Sequence, residues 1–395
     1  MATASTPTAT RCCSYELVAQ AGKARLGRLH LPHGVVPTPA FMPVGTAGSV
    51  KGLTPEEVRD IGASMILANT FHLWVRPGAE LVQRLGGLHK MMGWTGPILT
   101  DSGGFQAFSF REKAKAQEDG VKFLSAYDRQ WRFMSPEICV GLQETLGVDV
   151  AMALDECIAH PTERRKVLAS TQRTTRWLHR CLAARKAPEQ TALFGIVQGG
   201  FEADLRLEHT KTLSALDLDG YAIGGLSVGE TAEERDRMVA LSADALPAHK
   251  VRYLMGVGYP IDIVEAVIRG VDLFDCVLPT RTARFGYLFT ETGRLAIKHA
   301  AHREDSRPIE DGCSCYTCRS FSRAYLRHLH LSGELLAPRL FTLHNLAFYQ
   351  RLMARLRDAI AEGPEALESL RLQAKRWQEP YRDDPEDSHD PLSRR

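Results

Sequence analysis

Eight apolar segments of β type recur along the first 280 residues, and most are continuous rather than alternating in polarity. They occupy residues 38–46, 65–70, 97–104, 148–156, 192–200, 220–227, 251–258 and 271–280. Continuous apolar strands are typical of parallel sheets that are buried on both faces. Helix-like stretches separate most of the segments. This alternation over about 240 residues predicts an α/β protein with a (β/α)8 barrel.

Two of the connecting stretches carry clear helix signals. In LTPEEVRDIG, Thr54 stands at the N-cap, with proline at the first helical position and Glu57 at the third, as in a capping box. SPEICVGLQETLG begins with Ser135 and a proline and closes on Gly147. We therefore expect both stretches to be helices that pack outside the strands.

Two regions depart from the barrel pattern and suggest the domain organisation. EDGVKF and YDRQWRF predict a hairpin insertion near residues 111–134, and the alternation stops after residue 285. The expected units are a flexible tail (1–13), the barrel (14–285), a cysteine-containing subdomain with a closing helix (286–360), and a C-terminal helix with a charged tail (361–395).

Composition narrows the class of protein. The 395 residues are 44% hydrophobic and 24% charged, as in an ordinary globular protein. The formal net charge of +2 excludes a generally basic protein that coats nucleic acids. A polyanionic partner would therefore have to bind a local basic patch on the surface. We expect a cytoplasmic protein without a membrane span, because no apolar run approaches about 20 residues and the first residues lack the core of a secretion signal.

The carboxyl ends of the predicted strands carry polar groups. They are Asn69, Asp101, Asp155, Gln198, the Gly224–Gly225 pair and Asp275. Any one aspartate could simply cap the next helix, but strand ends of a barrel converge on its active site. Asp101 and Asp275 suit a retaining glycosyl transfer, which needs a nucleophile and an acid or base.

The remaining polar groups suit a flat heterocycle. A carboxylate accepts hydrogen bonds from the pairing edge of guanine, and a glutamine amide can donate to its carbonyl. Phe105 and Met255 each follow a strand and could sandwich a ring, although ordinary packing explains them equally well. From the residues alone, we expect an enzyme that handles a nucleobase or a sugar, with the substrate left open.

A cysteine cluster predicts a metal site. Cys313, Cys315 and Cys318 are followed by His344, which gives three thiolates and one imidazole for a closed tetrahedral Zn²⁺ site. With no open ligand position, the zinc is expected to be structural. Cys12, Cys13, Cys139 and Cys181 lack partners at ligand spacing and receive no role.

With these residues in place, the chain resembles the tRNA-guanine transglycosylases, or queuine tRNA-ribosyltransferases, from about residue 14 to about residue 360. The resemblance rests on FMPVGT, NTFHLWVRPG, LTDSGGFQ, ALDEC, GIVQGG, AIGGLSVGE, RYLMGVG, DCVLPTRTAR and CSCYTC with its later histidine. It implies a barrel with a zinc subdomain that exchanges guanine in a G-U-N anticodon of tRNA for a 7-deazaguanine. It also implies a homodimer, and neither ATP nor a redox cofactor.

The resemblance assigns roles by position. Asp275 matches the nucleophile that forms a covalent tRNA–enzyme intermediate, and Asp101 the general acid/base. The base-binding positions are matched by Asp155, Gln198, Gly225 and Leu226, with Phe105 and Met255 as the stacking pair. Arg281 and Arg284 match positions that hold the anticodon loop, and the cysteine cluster with His344 matches the zinc ligands.

The incoming base is predicted from two further positions. Cys157 and Val228 are similar to bacterial members, which insert the aminomethyl precursor preQ1. Thr282 and Phe285 look more like the eukaryotic catalytic subunit, which inserts queuine, so this alternative stays open. A non-catalytic tRNA-binding subunit is disfavoured because Asp101 and Asp275 are both present. A barrel metallohydrolase would need an open metal cluster at the strand ends, which the sequence lacks.

Overall fold

The computed structural model describes residues 12–104, 114–125 and 127–377. Its first element is an antiparallel sheet of β1 (Ser14–Ala21), β2 (Ala24–Leu31) and β3 (Gly34–Thr38). The sheet lies at the amino-terminal end of the barrel, where the Tyr15 hydroxyl donates to Asp272 at 3.0 Å, just before the last barrel strand. The sequence did not predict this sheet, because β1 is largely exposed and polar residues interrupt the apolar pattern of β1 and β2.

Eight parallel strands form the predicted barrel. They are β4 (Ala40–Met42), β5 (Ile66–Ala68), β6 (Ile98–Thr100), β10 (Val150–Met152), β11 (Ala192–Val197), β12 (Gly220–Ile223), β13 (Val251–Leu254) and β14 (Leu273–Asp275). Each lies within one of the eight apolar segments. The barrel closes between β4 and β5 through a parallel bridge of Val44 with Leu67 and a 2.6 Å bond from the Gly45 N–H to the Leu67 carbonyl.

The barrel strands are continuously apolar because their two faces pack into two different hydrophobic cores. In β11, Phe194 and Ile196 join the cluster in the barrel interior, whereas Leu193 and Val197 join the cluster between strands and helices. Every residue of this strand is buried. Alternate side chains of a strand point to opposite faces, so both faces need apolar residues.

Helices surround the barrel. They are α1 (Pro55–Asp60), α2 (Thr70–Val75), α3 (Ala79–Arg84), α4 (Gly87–Met92), α5 (Pro136–Leu146), α6 (Arg164–Ala184), α7 (Ala203–Ser214), α8 (Ala232–Ala245), α9 (Pro260–Ile268) and α10 (Leu278–Arg284). The capping box of Thr54 and Glu57 is confirmed, as are the Ser135 N-cap and the Gly147 C-cap of α5. Among the described residues, no helix is both long enough and apolar enough to span a bilayer.

The insertion after β6 forms an antiparallel sheet. It consists of β7 (Ala114–Gln117), β8 (Gly120–Leu124) and β9 (Trp131–Met134) in that order. This is one strand more than the two segments singled out in the sequence. The Phe123 ring on β8 packs edge-on against Phe71 of α2, with ring centroids 4.7 Å apart, so the sheet rests on the barrel beside the mouth.

The C-terminal region contains the predicted cysteine cluster. It comprises β15 (Tyr287–Thr290), β16 (Gly293–Ala296), a short 3-10 helix (Ala300–His302), α11 (Tyr316–Ser320), α12 (Arg323–Leu331), α13 (Leu336–Glu362) and α14 (Pro364–Arg376). Asn345 of α13 accepts from the Phe289 N–H at 3.0 Å and donates to the Pro279 carbonyl at 3.0 Å. It thereby fixes α10 directly behind β14. The unit boundaries expected from the sequence stay predictions, and most of both expected tails lies outside the described residues.

Candidate active site

A cavity of about 330 Å³ opens at the carboxyl ends of the barrel strands. The structure brings most of the predicted site residues to its wall: Asp101, Asp155, Cys157, Gly225, Leu226, Met255 and Asp275. These residues come from five different strands or the loops that follow them. The convergence of carboxylates on one cavity is therefore a property of the barrel and not of a local motif.

Asp275 ends β14, and the surrounding bonds distinguish its two carboxylate oxygens. Oδ1 accepts from the Tyr253 hydroxyl at 2.6 Å and from the Gly256 N–H at 2.9 Å. Within the described part of the chain, no donor is bonded to Oδ2. Burial raises the pKa of the Asp275 carboxyl, and the two hydrogen bonds oppose that rise. Oδ1 is thus held in place, whereas Oδ2 is left for another partner in the cavity.

Asp101 follows β6 and is fixed by the start of α2. Its carboxylate accepts from Asn69 Nδ2 at 2.6 Å and from the Thr70 N–H at 2.8 Å. The Thr70 hydroxyl donates to the Asp101 carbonyl at 2.6 Å. The neighbouring strand end therefore supplies both the amide and the backbone donor that orient this carboxylate toward the cavity.

Asp155 and Gln198 form a hydrogen-bonded pair on adjacent strand ends. Gln198 Nε2 donates to Asp155 Oδ2 at 2.8 Å, and the Ser102 hydroxyl donates to Oδ1 at 2.8 Å. Burial raises the pKa of Asp155 to about 6, although both hydrogen bonds act in the opposite direction. Gln198 keeps a second amide hydrogen, so the pair can accept and donate to one ligand edge.

The turn after β12 requires glycine at residue 225. Gly225 has φ +65°, and a Cβ there would lie 2.3 Å from Gln198 Oε1. The turn then continues into Leu226, while Glu230 accepts from the Ser227 N–H at 2.5 Å and from the Val228 N–H at 2.8 Å. The backbone of this turn can therefore approach a flat ligand closely, and Glu230 fixes its conformation.

Some predicted residues lie away from the cavity. Arg281 and Arg284 are exposed on α10 just behind Asp275, and Val228 is partly buried in the loop beyond the cavity wall. Phe105 lies outside the described residues. His72 also lines the cavity, and its ring nitrogen Nδ1 is hydrogen-bonded to the Tyr127 hydroxyl at 2.8 Å.

Sequence reasoning missed two residues that position the site. One is Tyr253, and the available signal was its polar hydroxyl near the carboxyl end of a buried strand. The other is Arg206 of α7, fully buried, which donates to the Gly200 carbonyl at 2.9 Å and to the Gly224 carbonyl at 3.1 Å. Arg206 ties the end of β11 to the turn after β12, and nothing in its local sequence indicates this role.

The predicted metal ligands form a buried cluster. His344 Nδ1 lies 3.8, 3.7 and 3.3 Å from the sulfur atoms of Cys313, Cys315 and Cys318. Zinc bonded tetrahedrally to sulfur at ~2.3 Å and nitrogen at ~2.1 Å separates these atoms by about 3.6 Å. The other ring nitrogen, Nε2, lies 2.8 Å from the Phe289 carbonyl, which selects Nδ1 as the ligand atom. The residues present therefore fit a metal ion of this kind.

Comparison with known proteins identifies the family. A family model described as queuine tRNA-ribosyltransferase matches residues 20–376. The chain is 52% identical to the queuine tRNA-ribosyltransferase of Aromatoleum aromaticum over 92% of this chain and 98% of that protein. It is 53% identical to the protein of that name from Pseudomonas putida, over 89% of this chain and 94% of the relative. The Desulforudis audaxviator protein of that name is 54% identical over 86% and 91%, respectively. The chain therefore belongs to the queuine tRNA-ribosyltransferase family.

Proposed function

We propose that this pentosyltransferase exchanges guanine at the first anticodon position of tRNA for a 7-deazaguanine by double displacement. The observation that carries the proposal is the pair of carboxylates, Asp101 and Asp275, which reach one cavity from different strands. A hydrogen-bonded carboxylate and amide, Asp155 and Gln198, lie beside them. This arrangement supplies a nucleophile, an acid/base and a reader of a purine edge.

In the first displacement, Asp275 Oδ2 attacks the anomeric carbon of the ribose. The bond from that carbon to guanine N9 breaks as the bond to Oδ2 forms, and a proton from the Asp101 carboxyl passes to the leaving base. Tyr253 and Gly256 hold the other oxygen of Asp275, so the attacking atom is already oriented. The product of this step is a covalent ester between tRNA and Asp275.

In the second displacement, the incoming base attacks the same carbon and releases Asp275. The Asp101 carboxylate accepts the N9 proton of the incoming base, which restores the starting state of both acids. Two inversions at one carbon retain the β-linkage. The proton that Asp101 gives to guanine is replaced by the proton of the incoming base, so the cycle needs no additional reactant.

Recognition of the base follows from the site's donors and acceptors. The Asp155 carboxylate accepts from the N–H groups of guanine's pairing edge, and the Gln198 amide donates to its carbonyl. The Gly225 backbone offers a further donor where a side chain is excluded. Met255 packs on one face of the ring, and Phe105 is proposed for the other face.

We favour preQ1 as the incoming base. The Ser227 N–H points to Glu230, so the Leu226 carbonyl points the opposite way across a planar peptide, and both residues line the cavity. The Leu226 carbonyl oxygen can accept a hydrogen bond from the small aminomethyl cation of preQ1. Cys157 lines the same cavity and limits the space for a larger substituent. Queuine is the alternative, and competition between the two bases for incorporation into tRNA separates them.

The proposal also assigns the partners. A tRNA with a G-U-N anticodon is the substrate, and Arg281 and Arg284, exposed side by side on α10, hold its anticodon loop. Zn²⁺ bound by Cys313, Cys315, Cys318 and His344 is structural, because four protein ligands leave no open position. We further propose a homodimer and a cytoplasmic location.

Base exchange tests the function directly. Unmodified tRNA and radiolabelled guanine are incubated with the native protein, with Asp275→Asn and with Asp244→Asn, an exposed aspartate paired with Lys23 far from the cavity. Label in precipitated RNA is expected with the native protein and with Asp244→Asn, but not with Asp275→Asn. Absence of label with all three proteins, while tRNA is retained, would favour the accessory-subunit alternative.

A further inference from the structure

The outward face of the β7–β9 sheet carries aromatic and basic side chains. Antiparallel pairing places Lys115 opposite Lys122, Lys122 opposite Phe133, and Leu124 opposite Trp131, so these side chains share one face. Trp131 is 53% exposed and Phe133 is 36% exposed. Two exposed aromatic rings on one short strand are costly to leave in water, which indicates a surface with a partner.

The opposite face of the sheet is already occupied. Val121, Phe123 and Met134 are buried there, and the Phe123 ring centroid lies 6.0 Å from that of Trp74 on α2. The sheet therefore has its own core contact with the barrel. Trp131 and Phe133 lie on the other face of the sheet and do not contribute to this core contact.

Charge identifies the class of partner. Lys122 Nζ lies 5.3 Å from the centre of the Trp131 ring, and in the described part of the chain neither Lys115 nor Lys122 forms an ion pair. The nearby acids are engaged elsewhere or lie at the sheet's edge: Glu118 pairs with Arg176, Asp128 pairs with Arg132, and Asp119 is in the β7–β8 turn. Among the residues that the structure describes, the face thus combines cations with aromatic rings and carries no carboxylate.

The sheet also adjoins the mouth of the active-site cavity. The loop between β8 and β9 carries Tyr127, whose hydroxyl is bonded to His72 at 2.8 Å, and His72 lines the cavity. The Arg76 guanidinium lies 5.2 Å from the centre of the Tyr127 ring. Trp131 begins β9 four residues after Tyr127, so the exposed face starts beside the mouth.

We propose that this face is a platform for unpaired RNA bases next to the nucleotide that enters the cavity. Trp131 and Phe133 each stack one base, and Lys115 and Lys122 neutralise the adjoining phosphates. Residues two apart on a strand are about 6.7 Å apart. Aromatic side chains presented on a sheet in this way stack successive unpaired bases. The partner is the unpaired loop of the substrate, so the inference rests on the proposed function.

The contribution of the platform to RNA affinity can be measured separately from catalysis. Fluorescence anisotropy gives the Kd of a labelled anticodon stem-loop RNA for the full-length protein, the double variant Trp131→Ala/Phe133→Ala and the conservative variant Trp131→Tyr. The double variant is expected to raise Kd at least about tenfold, whereas Trp131→Tyr stays close to native because a stacking ring remains. Leu372→Ala removes an equally exposed apolar side chain from α14 and serves as the matched control.

The lysines are tested by salt dependence. Lys115→Gln/Lys122→Gln is expected to reduce the slope of log K against log salt by about one to two, since two phosphate contacts are lost. Lys211→Gln, an exposed lysine on α7, should leave the slope unchanged. In the exchange assay, both double variants should raise KM for tRNA while KM for guanine and kcat stay native.

The outcomes separate this inference from the proposed function. Exchange by the native protein with unchanged Kd and KM in the aromatic double variant would overturn the platform alone. RNA binding that depends on Trp131 without any exchange by the native protein would keep the platform and overturn the proposed reaction. If the double variant changes only the oligomeric mass in solution, the face binds a second copy of this chain, and the platform is wrong.

Discussion

The Tyr253 hydroxyl donates a 2.6 Å hydrogen bond to Oδ1 of Asp275, across the pair of strands β13 and β14. Both residues are at the mouth of the barrel, and the same oxygen accepts from the Gly256 N–H. Burial raises the pKa of Asp275, and the bond from Tyr253 counteracts this rise. One neutral hydroxyl thus both orients the proposed nucleophile and favours its ionised form.

Removal of that hydroxyl should slow the first displacement. Tyr253→Phe loses a hydrogen bond to a charged group, so kcat is expected to fall at least about tenfold, with KM for tRNA little changed. The pKa of Asp275 should rise, and the acid limb of the rate profile should move to higher pH. Single-turnover kinetics across the pH range measure both effects. Tyr221→Phe, a buried tyrosine one strand away that donates to the Leu216 carbonyl, is the control; equal losses in both variants would contradict the assigned role.

Arg206 connects the end of β11 to the turn after β12, so a substitution of Arg206 should weaken binding of the base. Arg206→Lys keeps the charge but cannot span the Gly200 and Gly224 carbonyls with a planar fork. We expect KM for guanine to rise about tenfold, with a smaller effect on KM for tRNA. Steady-state kinetics with each substrate varied in turn test this. Arg235→Lys alters another buried arginine, paired with Asp262 remote from the cavity, and should change stability without changing KM for guanine.

Asp155 should give base recognition its own pH dependence. Its pKa is raised from 3.8 to about 6, so the carboxylate is mostly ionised only above that pH. Protonation below about pH 6 turns one Asp155 oxygen into a donor, which no longer matches guanine's N–H donors, and KM for guanine should rise by up to about tenfold per pH unit. Initial rates from about pH 8 to about pH 5, at saturating tRNA, measure this. A constant KM over the range would show that Asp155 does not read the base.

Loss of the metal cluster should act through α10. Cys318→Ser removes one ligand of the proposed zinc, and we expect less than one zinc per chain and a loss of on the order of 3 kcal/mol in stability. Exchange activity should fall as well, since Asn345, next to His344, holds α10 behind Asp275. Elemental analysis and thermal unfolding provide the readouts. Cys181→Ser alters a buried cysteine bonded to the Pro136 carbonyl, and its zinc content should remain native.

Much of the architecture is determined by the sequence itself. The eight apolar segments predict the eight barrel strands because a strand buried on both faces needs an apolar residue at every position. Thr54 with Glu57 and Ser135 with Gly147 predict helix ends because capping is a local interaction between residues a few positions apart. The spacing of Cys313, Cys315 and Cys318 indicates a metal site, since three of the four ligands lie within six residues of one another.

Only the tertiary structure decides how the strand ends interact. Asp155 meets Gln198 across 43 residues, and Asp275 meets Tyr253 across 22, because adjacent strands bring their ends together in the closed barrel. Arg206 reaches the turn at Gly224 only because α7 packs directly over it. Likewise, the exposure of Trp131 depends on which face of its sheet packs on α2, and that choice is made by contacts distant in sequence. The sequence alone therefore supplies the chemical groups and their strands, whereas the closed barrel selects which groups share hydrogen bonds and act on one ligand.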